Sequence, residues 1–145
     1  MAPNLLSIDA MREERTAAES GSEAPIAERP DDLQRTRLVR WLDRGLRRGE
    51  VGRLEREYPL SMGGSRGHRC IFREGAPVAH AMLHVCEIVA RGVVVRVGLI
   101  GNVYTDPDHR GRGLASACIE ACVRDAREQG AGLVLLWSDA RDFYR

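Results

Sequence analysis

The chain of 145 residues is long enough for one globular domain, which would bury roughly two-thirds of the surface that the unfolded chain exposes. Its formal net charge is +1, with 30% charged and 43% apolar residues, so no strong basic field favours a nucleic-acid-binding protein. All 22 basic residues are arginines, which excludes a Schiff-base lysine and the lysine of a Walker phosphate loop.

Compartment and redox state follow from simple patterns. No apolar run approaches the ~20 residues of a membrane-spanning helix, and the N-terminus lacks the basic-then-apolar order of a signal peptide. We therefore expect a cytoplasmic protein without a membrane partner. The four cysteines, Cys70, Cys86, Cys118 and Cys122, form no C-x-x-C pair, so we expect reduced core residues and no metal site.

The first 30 residues differ in composition from the rest. Residues 11–30 are rich in Glu, Ala, Ser and Pro and show no apolar period, so they cannot offset the entropy lost on ordering. We expect residues 1–30 to be mostly disordered, with a short strand at 5–8 as the one candidate element. The folded domain is expected over residues 31–145.

Two helices are predicted at the start of this domain. The first begins after Asp31, an N-cap candidate, carries apolar residues at helical spacing and ends near Gly49. The second is a short segment over 51–58, which Pro59 ends.

Three strand-like segments follow at His68–Arg73, 78–89 and 93–104, and the turn sequences EGAP and ARG separate them. This order predicts an antiparallel meander. The third segment contains Gly98 and Gly101. Glycine within a strand indicates a bulge or the close approach of another group, for which a ligand is the candidate.

An amphipathic helix is predicted over 113–129, stopped by Gly130, and an apolar strand over 133–137 follows it. The short connection favours a strand–helix–strand crossover, in which the strand 133–137 lies parallel to the strand 93–104. The fold class is therefore α/β of the α+β type, with a mixed, largely antiparallel sheet.

The sequence HRGRGLA at 109–115 joins a strand to this helix. Its glycines permit positive φ and let successive N–H groups converge at the positive end of the helix dipole. A strand before and a helix after are the context that a phosphate-binding loop requires. The dinucleotide motif G-x-G-x-x-G does not fit, because Ser116 stands in place of its third glycine. We predict a pyrophosphate-binding loop; the alternative is a tight loop with solvated arginines.

The string Arg-x-x-Gly-x-Ala at 110–115, with Pro107 upstream, closely resembles motif A of the GNAT N-acetyltransferase superfamily. The resemblance extends over about residues 33–145, and the sequence GLVLLWSDARDFYR is similar to the family's fifth strand and following helix. It implies a GNAT acyl-CoA N-acyltransferase fold over 31–145, with helices on both faces of the sheet. Because the family continues into two more strands, we expect a C-terminally incomplete domain with the strand 133–137 as an exposed apolar edge.

The resemblance also implies the ligand and its binding residues. Acetyl-CoA is the expected cosubstrate, with its pyrophosphate held by the backbone amides from Arg110 to Ala115 and with Arg110 or Arg112 adding charge. The strand before the loop pairs its backbone with the pantetheine arm, in a gap where the fourth and fifth strands splay apart. The implied cofactor-binding residues are Val103, Thr105, Arg110, Gly111, Arg112, Gly113, Leu114 and Ala115.

Tyr144 matches the family's tyrosine that protonates the departing CoA thiolate. A phenol with a pKa near ~10 suits this role towards a thiolate whose thiol has a pKa of about 8.5, because the phenol is protonated at neutral pH. The alternative role for Tyr144 is a core aromatic residue. His80 and His84, four apart in a strand, are expected to be ordinary strand residues too far apart to share a metal. No motif assigns the general base, whose candidates are His84, Glu87, Asn102 acting through a water molecule, and Asp139.

The sequence thus predicts an N-acetyltransferase that moves an acetyl group from acetyl-CoA to a primary amine of an unidentified acceptor. The alternative is a catalytically inactive acetyl-CoA-binding or interaction module. A generic nucleotide binder is disfavoured, because the loop has no lysine and no Ser or Thr directly after it to bind Mg²⁺. Nucleic acid, membrane and metal are not expected partners, and a homodimer is one of the oligomeric states left open.

Overall fold

The structure, a computed structural model, describes residues 4–6, 25–62 and 66–136, and for residues 4–6, 60 and 61 it describes the backbone alone. The strands are β1 (Asn4–Leu6), β2 (His68–Arg73), β3 (Ala76–Ala90), β4 (Val93–Thr105) and β5 (Leu133–Leu136). The helices are α1 (Asp32–Leu46), α2 (Arg53–Glu57), α3 (Pro59–Met62) and α4 (Leu114–Glu128), with a 3₁₀ turn at Pro107–His109. None of the described helices is long and apolar enough to cross a membrane.

The five strands form one sheet in the order β1-β5-β4-β3-β2. Only the β4–β5 pair is parallel, and α4 makes the crossover between these two strands. The predicted mixed, largely antiparallel α+β sheet is therefore confirmed. We expected β5 to be an exposed edge strand. This expectation is wrong for the described strand, because β1 pairs with β5 antiparallel from Asn4↔Leu136 to Leu6↔Val134.

Helices cover both faces of the sheet. On one face α4 packs on β2, β3, β4 and β5, with Ile71, Leu83, Ile100, Cys118, Cys122, Ala126, Val134 and Leu136 among the buried side chains. On the other face α1, α2 and α3 enclose a second apolar cluster of Leu38, Val39, Leu42, Leu54, Met62, Cys70 and Met82. Because Pro59 needs no N–H partner at a helix start, it begins α3 directly after α2, a helix that the sequence reading did not predict.

All four cysteines are free thiols. Cys70, Cys118 and Cys122 are buried, and Cys86 is half-buried. Burial raises the pKa of the Cys118 thiol to about 12 and also raises the pKa of Cys70 and Cys122. These three thiols therefore stay protonated and pack as small apolar groups.

Two buried carboxylates connect elements that are distant in sequence. Asp43 of α1 accepts hydrogen bonds from the amides of Gly52 (2.6 Å) and Leu54 (2.9 Å), and so caps the start of α2. Asp125 of α4, only 5% exposed, binds the guanidinium of Arg69 in β2 through two hydrogen bonds, one of them 2.7 Å from Nε to Oδ2. Arg29 lies 3.4 Å from the same carboxylate. This ion pair joins α4, β2 and the segment before α1.

The two strand glycines have different roles. A Cβ at Gly98 would stand 3.0 Å from the Cβ of Ala126 and 3.1 Å from Cδ1 of Leu83, so the close neighbour of this glycine is helix α4 and not a ligand. A Cβ at Gly101 would meet nothing within 4 Å among the described residues. Gly98 therefore sets the distance between α4 and the sheet.

Replacing Asp125 should destabilise the folded protein. We expect Asp125→Ala to lower the free energy of unfolding by about 3 kcal/mol, because Arg69 would keep its charge in a largely buried position without a carboxylate. Urea denaturation measures this loss. Glu128→Ala, at an exposed position of the same helix, should stay within about 0.5 kcal/mol of wild type. A loss below 1 kcal/mol at Asp125 would contradict a structural role for the pair.

The two strand glycines, Gly98 and Gly101, give a second test, of the packing of α4 on the sheet. Gly98→Ala should lower the free energy of unfolding by about 1–3 kcal/mol, since the added methyl must push α4 or Leu83 away. Gly101→Ala meets open space and should change stability by about 0.5 kcal/mol or less. Thermal unfolding of both variants measures the difference, and equal losses would show that helix contact is not what requires Gly98.

Candidate active site

The connection between β4 and α4 is a tightly turned loop. The Asp106 carboxylate accepts a hydrogen bond from the Asp108 amide (3.0 Å) and caps the 3₁₀ turn. This bond, followed by contacts with His109 and Trp41, lowers the pKa of Asp106. Gly111 and Gly113 then take φ values of 73° and 69°, the left-handed conformation that a side chain disfavours. Both glycines are needed for backbone conformation.

The loop presents unbonded amides at the start of α4. Gly113 is the N-cap and supplies no side-chain cap, and the first turn contains no acidic residue. The amides of residues 114–116 have no acceptor within the helix. Within the described part of the chain, no acceptor is bonded to any amide of residues 111–116. These N–H groups and the helix dipole together form a receptor for an anion.

Two predicted phosphate-binding arginines border this receptor. Arg110 Nε donates to the carbonyl oxygen of Thr105 (3.3 Å), and Arg112 Nη2 donates to the carbonyl oxygen of Asp108 (3.3 Å). Both side chains are exposed, and neither is paired with a described carboxylate. The loop therefore keeps its positive charge available for an anion.

Next to the loop, β4 has an edge without a strand partner among the described residues. The β4–β5 pairing ends at Ile100↔Leu136, whereas β4 continues to Thr105. On its other side, the amide of Asp106 donates to Val78 of β3 (2.9 Å). Because amides alternate between the two edges of a regularly paired strand, that of Thr105 faces away from β3, along this unpaired edge.

A β-bulge lies at the start of the unpaired edge. His80 pairs with Tyr104 and Met82 with Gly101, so Asn102 and Val103 together face one residue of β3. Asn102 has a φ of 50°, a conformation that asparagine adopts more readily than most residues. A bulge was one of the two expectations for the strand glycines, and it begins directly after Gly101, with the extra residue at Asn102 or Val103.

The carbonyl group of Asn102 is bonded to a buried histidine pair. His80 Nδ1 lies 2.8 Å from the Asn102 oxygen, and His80 Nε2 lies 2.9 Å from His68 Nδ1. Both rings are 0% exposed. Burial, then the charge of His68, lowers the pKa of His80 to about 3, so this ring is neutral and has one donor and one acceptor nitrogen.

The bonding partners decide which nitrogen of His80 carries the proton. A carbonyl oxygen only accepts, so His80 Nδ1–H donates to Asn102, and His80 Nε2 accepts from His68 Nδ1–H. His80 lies in strand β3 as expected, but the sequence did not indicate that both of its ring nitrogens are bonded to buried partners. A histidine between Ala79 and Ala81, within a mostly apolar strand segment, indicated a buried ring. The sequence could not indicate its partner on β4, the Asn102 carbonyl.

Tyr104 connects the end of β4 with α1. Its ring packs on Trp41, with centroids 4.8 Å apart and planes tilted by 60°. Gly45 leaves room for this ring, since a Cβ there would collide with it. This aromatic contact, which the sequence reading missed, fixes α1 against the strand that leads into the loop.

The candidate general bases are dispersed. Glu87 is exposed, pairs with Arg96 (2.9 Å) and lies five residues along β3 from Met82, which is roughly 16 Å from the bulge. His84 is half-buried on the same strand and faces Leu99 in the register. The Asn102 side chain donates to the sulfur of Met62 (3.6 Å). Asp139 and Tyr144 lie outside the described residues. Among the described side chains no three His, Cys, Asp or Glu residues form a metal-binding group.

Solved structures share this architecture. A probable N-acyltransferase from Enterococcus faecalis V583 superposes with a TM-score of 0.70 at 15% identity, over 85% of this chain and 31% of that one, so the present chain spans about a third of it. Glucosamine-6-phosphate N-acetyltransferase from Arabidopsis thaliana gives 0.62 at 18% identity, over 84% and 88% of the two chains. A Trypanosoma brucei acetyltransferase gives 0.58 at 24% identity, over 81% and 87%.

At these identities the structures show a common fold. No curated protein matches the chain by sequence. The family model for the acetyltransferase (GNAT) domain matches residues 61–145, more than half of the chain and the part that contains β4, the loop and α4. The chain therefore belongs to the GNAT acetyltransferase family.

Proposed function

We propose that this protein transfers an acetyl group from acetyl-CoA to a primary amine. The observation that carries the proposal is the adjacency of two features in one connection: the amides of residues 111–116 and the β4 edge up to Thr105, both without a partner among the described residues. The amides suit a pyrophosphate, and an extended arm with amide groups can pair with a strand edge as an added strand does. A molecule that carries both parts fits the two features together.

The proposed binding mode assigns a part to each predicted residue. The amides from Gly111 to Ala115 hold the pyrophosphate, and the exposed guanidinium groups of Arg110 and Arg112 add charge. The Arg110 amide, which we expected in this set, donates instead to the Pro107 carbonyl (3.5 Å). The backbone of Val103 and Thr105 pairs with the pantetheine arm. The thioester then lies near the bulge, where the Val103 amide is the nearest backbone donor on the unpaired edge.

The proposed reaction is a direct transfer. The lone pair of a neutral amine attacks the thioester carbonyl carbon, and the charge that develops on the carbonyl oxygen is stabilised by the Val103 amide. The carbon–sulfur bond then breaks, the nitrogen loses a proton to a base, and Tyr144 protonates the departing thiolate. Burial of Cys70, Cys118 and Cys122 supports a route without a covalent enzyme intermediate, because their raised pKa values keep these thiols protonated.

The related structures support the choice of group and acceptor. The Arabidopsis protein is titled a glucosamine-6-phosphate N-acetyltransferase, and the Enterococcus protein a probable N-acyltransferase. Transfer to an amine nitrogen is common to both titles. The identity of the acceptor is left open by this proposal.

One observation favours a second function, an acetyl-CoA-binding module without turnover. Of the candidate bases in the described residues, Glu87 is paired with Arg96 and the Asn102 side chain is bonded to Met62. Binding of acetyl-CoA without release of CoA in the presence of amines would identify this second function.

Ligand binding is the first test. Acetyl-CoA and desulfo-CoA should each raise the melting temperature, while ATP should not, and a ligand at 100 times its Kd adds about 2.7 kcal/mol of stability. Ser116→Asp should abolish this shift without lowering stability, because a carboxylate in the first turn of α4 favours the helix and repels a pyrophosphate. Ser116→Asn is the matched neutral control. Equal shifts with ATP would instead indicate a nucleotide-binding loop.

The proton donor has a separate test. Tyr144→Phe should lower kcat by about 100-fold or more with little change in the KM for acetyl-CoA, because the phenol acts only when the thiolate leaves. Thiol release measured with a panel of primary amines gives both constants. Tyr58→Phe, which removes a hydroxyl that accepts from Arg47, is the control. If Tyr144→Phe turns over like wild type, another group protonates the thiolate.

A further inference from the structure

We propose that His80 is a positioning residue that holds the carbonyl of Asn102 and thereby aims the Val103 amide at the acyl carbonyl of the thioester. This inference rests on the proposed function. It adds a buried side chain that touches neither substrate nor loop, and it gives the His68–His80 pair a role in the reaction.

One peptide group, between Asn102 and Val103, links His80 to the Val103 amide. No described peptide bond is cis, and in a planar trans peptide the C=O and the following N–H point in opposite directions. The Asn102 carbonyl points to His80 Nδ1. The Val103 N–H therefore points away from the His80 ring, which belongs to β3.

Regular strand pairing is interrupted at this peptide. The bulge places Asn102 and Val103 opposite a single β3 residue, so one of the two residues is left out of the regular pairing. A peptide released from the ladder can rotate about its flanking bonds, and a buried carbonyl without a donor is costly. The hydrogen bond from His80 satisfies the oxygen and at the same time selects one orientation of the peptide.

His68 favours the form of His80 that carries its proton on Nδ1. If His80 carried its proton on Nε2, its Nδ1 lone pair would face the Asn102 oxygen and repel it. Donation from His68 Nδ1 to His80 Nε2 (2.9 Å) makes that form unfavourable. The direction of the Val103 amide is thus set by a chain of two donations that runs from β2 through β3 to β4.

The size of the effect follows from what a preorganised donor contributes. Removing one backbone-like donor to a developing oxyanion lowers kcat by about 100- to 1,000-fold. A donor that is present but free to rotate loses part of this contribution. We therefore expect loss of the His80–Asn102 bond to lower kcat by about 10- to 100-fold while the affinity for the pyrophosphate and pantetheine parts changes little.

Two substitutions separate positioning from packing. His80→Asn places its amide nitrogen where Nδ1 stands and keeps the donor to Asn102, but it removes the acceptor for His68. His80→Gln reaches the position of Nε2 and keeps that acceptor, but it removes the donor to Asn102. Each variant loses one buried hydrogen bond, so a purely structural role predicts similar losses for both.

The decisive readout is the carbonyl carbon of bound acetyl-CoA labelled with carbon-13. A hydrogen bond from the Val103 amide should shift this resonance downfield in the wild-type complex and in His80→Asn, and the shift should be lost in His80→Gln. The Kd for desulfo-CoA, which lacks the acyl carbonyl, should stay within about 3-fold across all three proteins. Where an acceptor supports turnover, kcat should fall in His80→Gln and recover in His80→Asn.

The outcomes are separable. If wild type binds neither acetyl-CoA nor desulfo-CoA, the proposed function is wrong and this inference fails with it. If wild type binds both and the two variants give the same carbonyl shift, the positioning role is wrong while the proposed function stands. Nitrogen-15 spectra of the unliganded wild type need no variant to fold: His80 must be protonated on Nδ1 and not on Nε2, and the opposite pattern overturns the proposal.

Discussion

The site depends on one constraint in the sheet, which is that β4 is paired with β3 over nearly its whole length, whereas its pairing with the described residues of β5 covers Val97 to Ile100. A strand that loses one neighbour exposes a row of backbone donors and acceptors, which is normally a liability. Here the exposed row leads directly into the loop of unbonded amides at the start of α4. The strand edge and the loop amides, which lack acceptors because they stand at a helix start, are thus neighbours in one connection.

Such an edge must be held rigidly if it is to bind a ligand without a large entropic cost. The two faces of the sheet supply this rigidity in different ways. On the α4 face, Gly98 allows close packing, and the Asp125–Arg69 pair ties the helix to the far strand β2. On the α1 face, Tyr104 is packed on Trp41 over Gly45. The start of the loop is thus fixed from both sides, while the amides in front of it remain free to bind.

The bulge shows how a buried polar network can serve function as well as stability. Burying two imidazoles costs desolvation energy, and an apolar pair of the same volume would avoid that cost. The pair is satisfied by mutual bonding and by the Asn102 carbonyl, the one carbonyl next to the amide to which we assign the oxyanion. The need to orient the Asn102–Val103 peptide group explains a polar network at this position, because apolar side chains cannot form the hydrogen bond that directs a peptide group.

The sequence by itself determined the order of the elements and the location of the loop. Helical and alternating periodicity, the N-cap Asp31, Pro59 and the glycines of the loop are local signals, and each acts through residues a few positions away. Motif A at 110–115 marked the anion receptor for the same reason, since its strand, glycines and helix are contiguous in the chain.

Only the tertiary structure decided the bulge at Asn102, the bond from His80 to its carbonyl and the pairing of β1 with β5. It also decided that Gly98 faces α4 rather than a ligand. Each of these features joins residues about 20 or more positions apart, and no short window of sequence contains both partners. Strand register and packing across the sheet select those partners, because a shift of one residue would turn His80 and Asn102 to opposite faces.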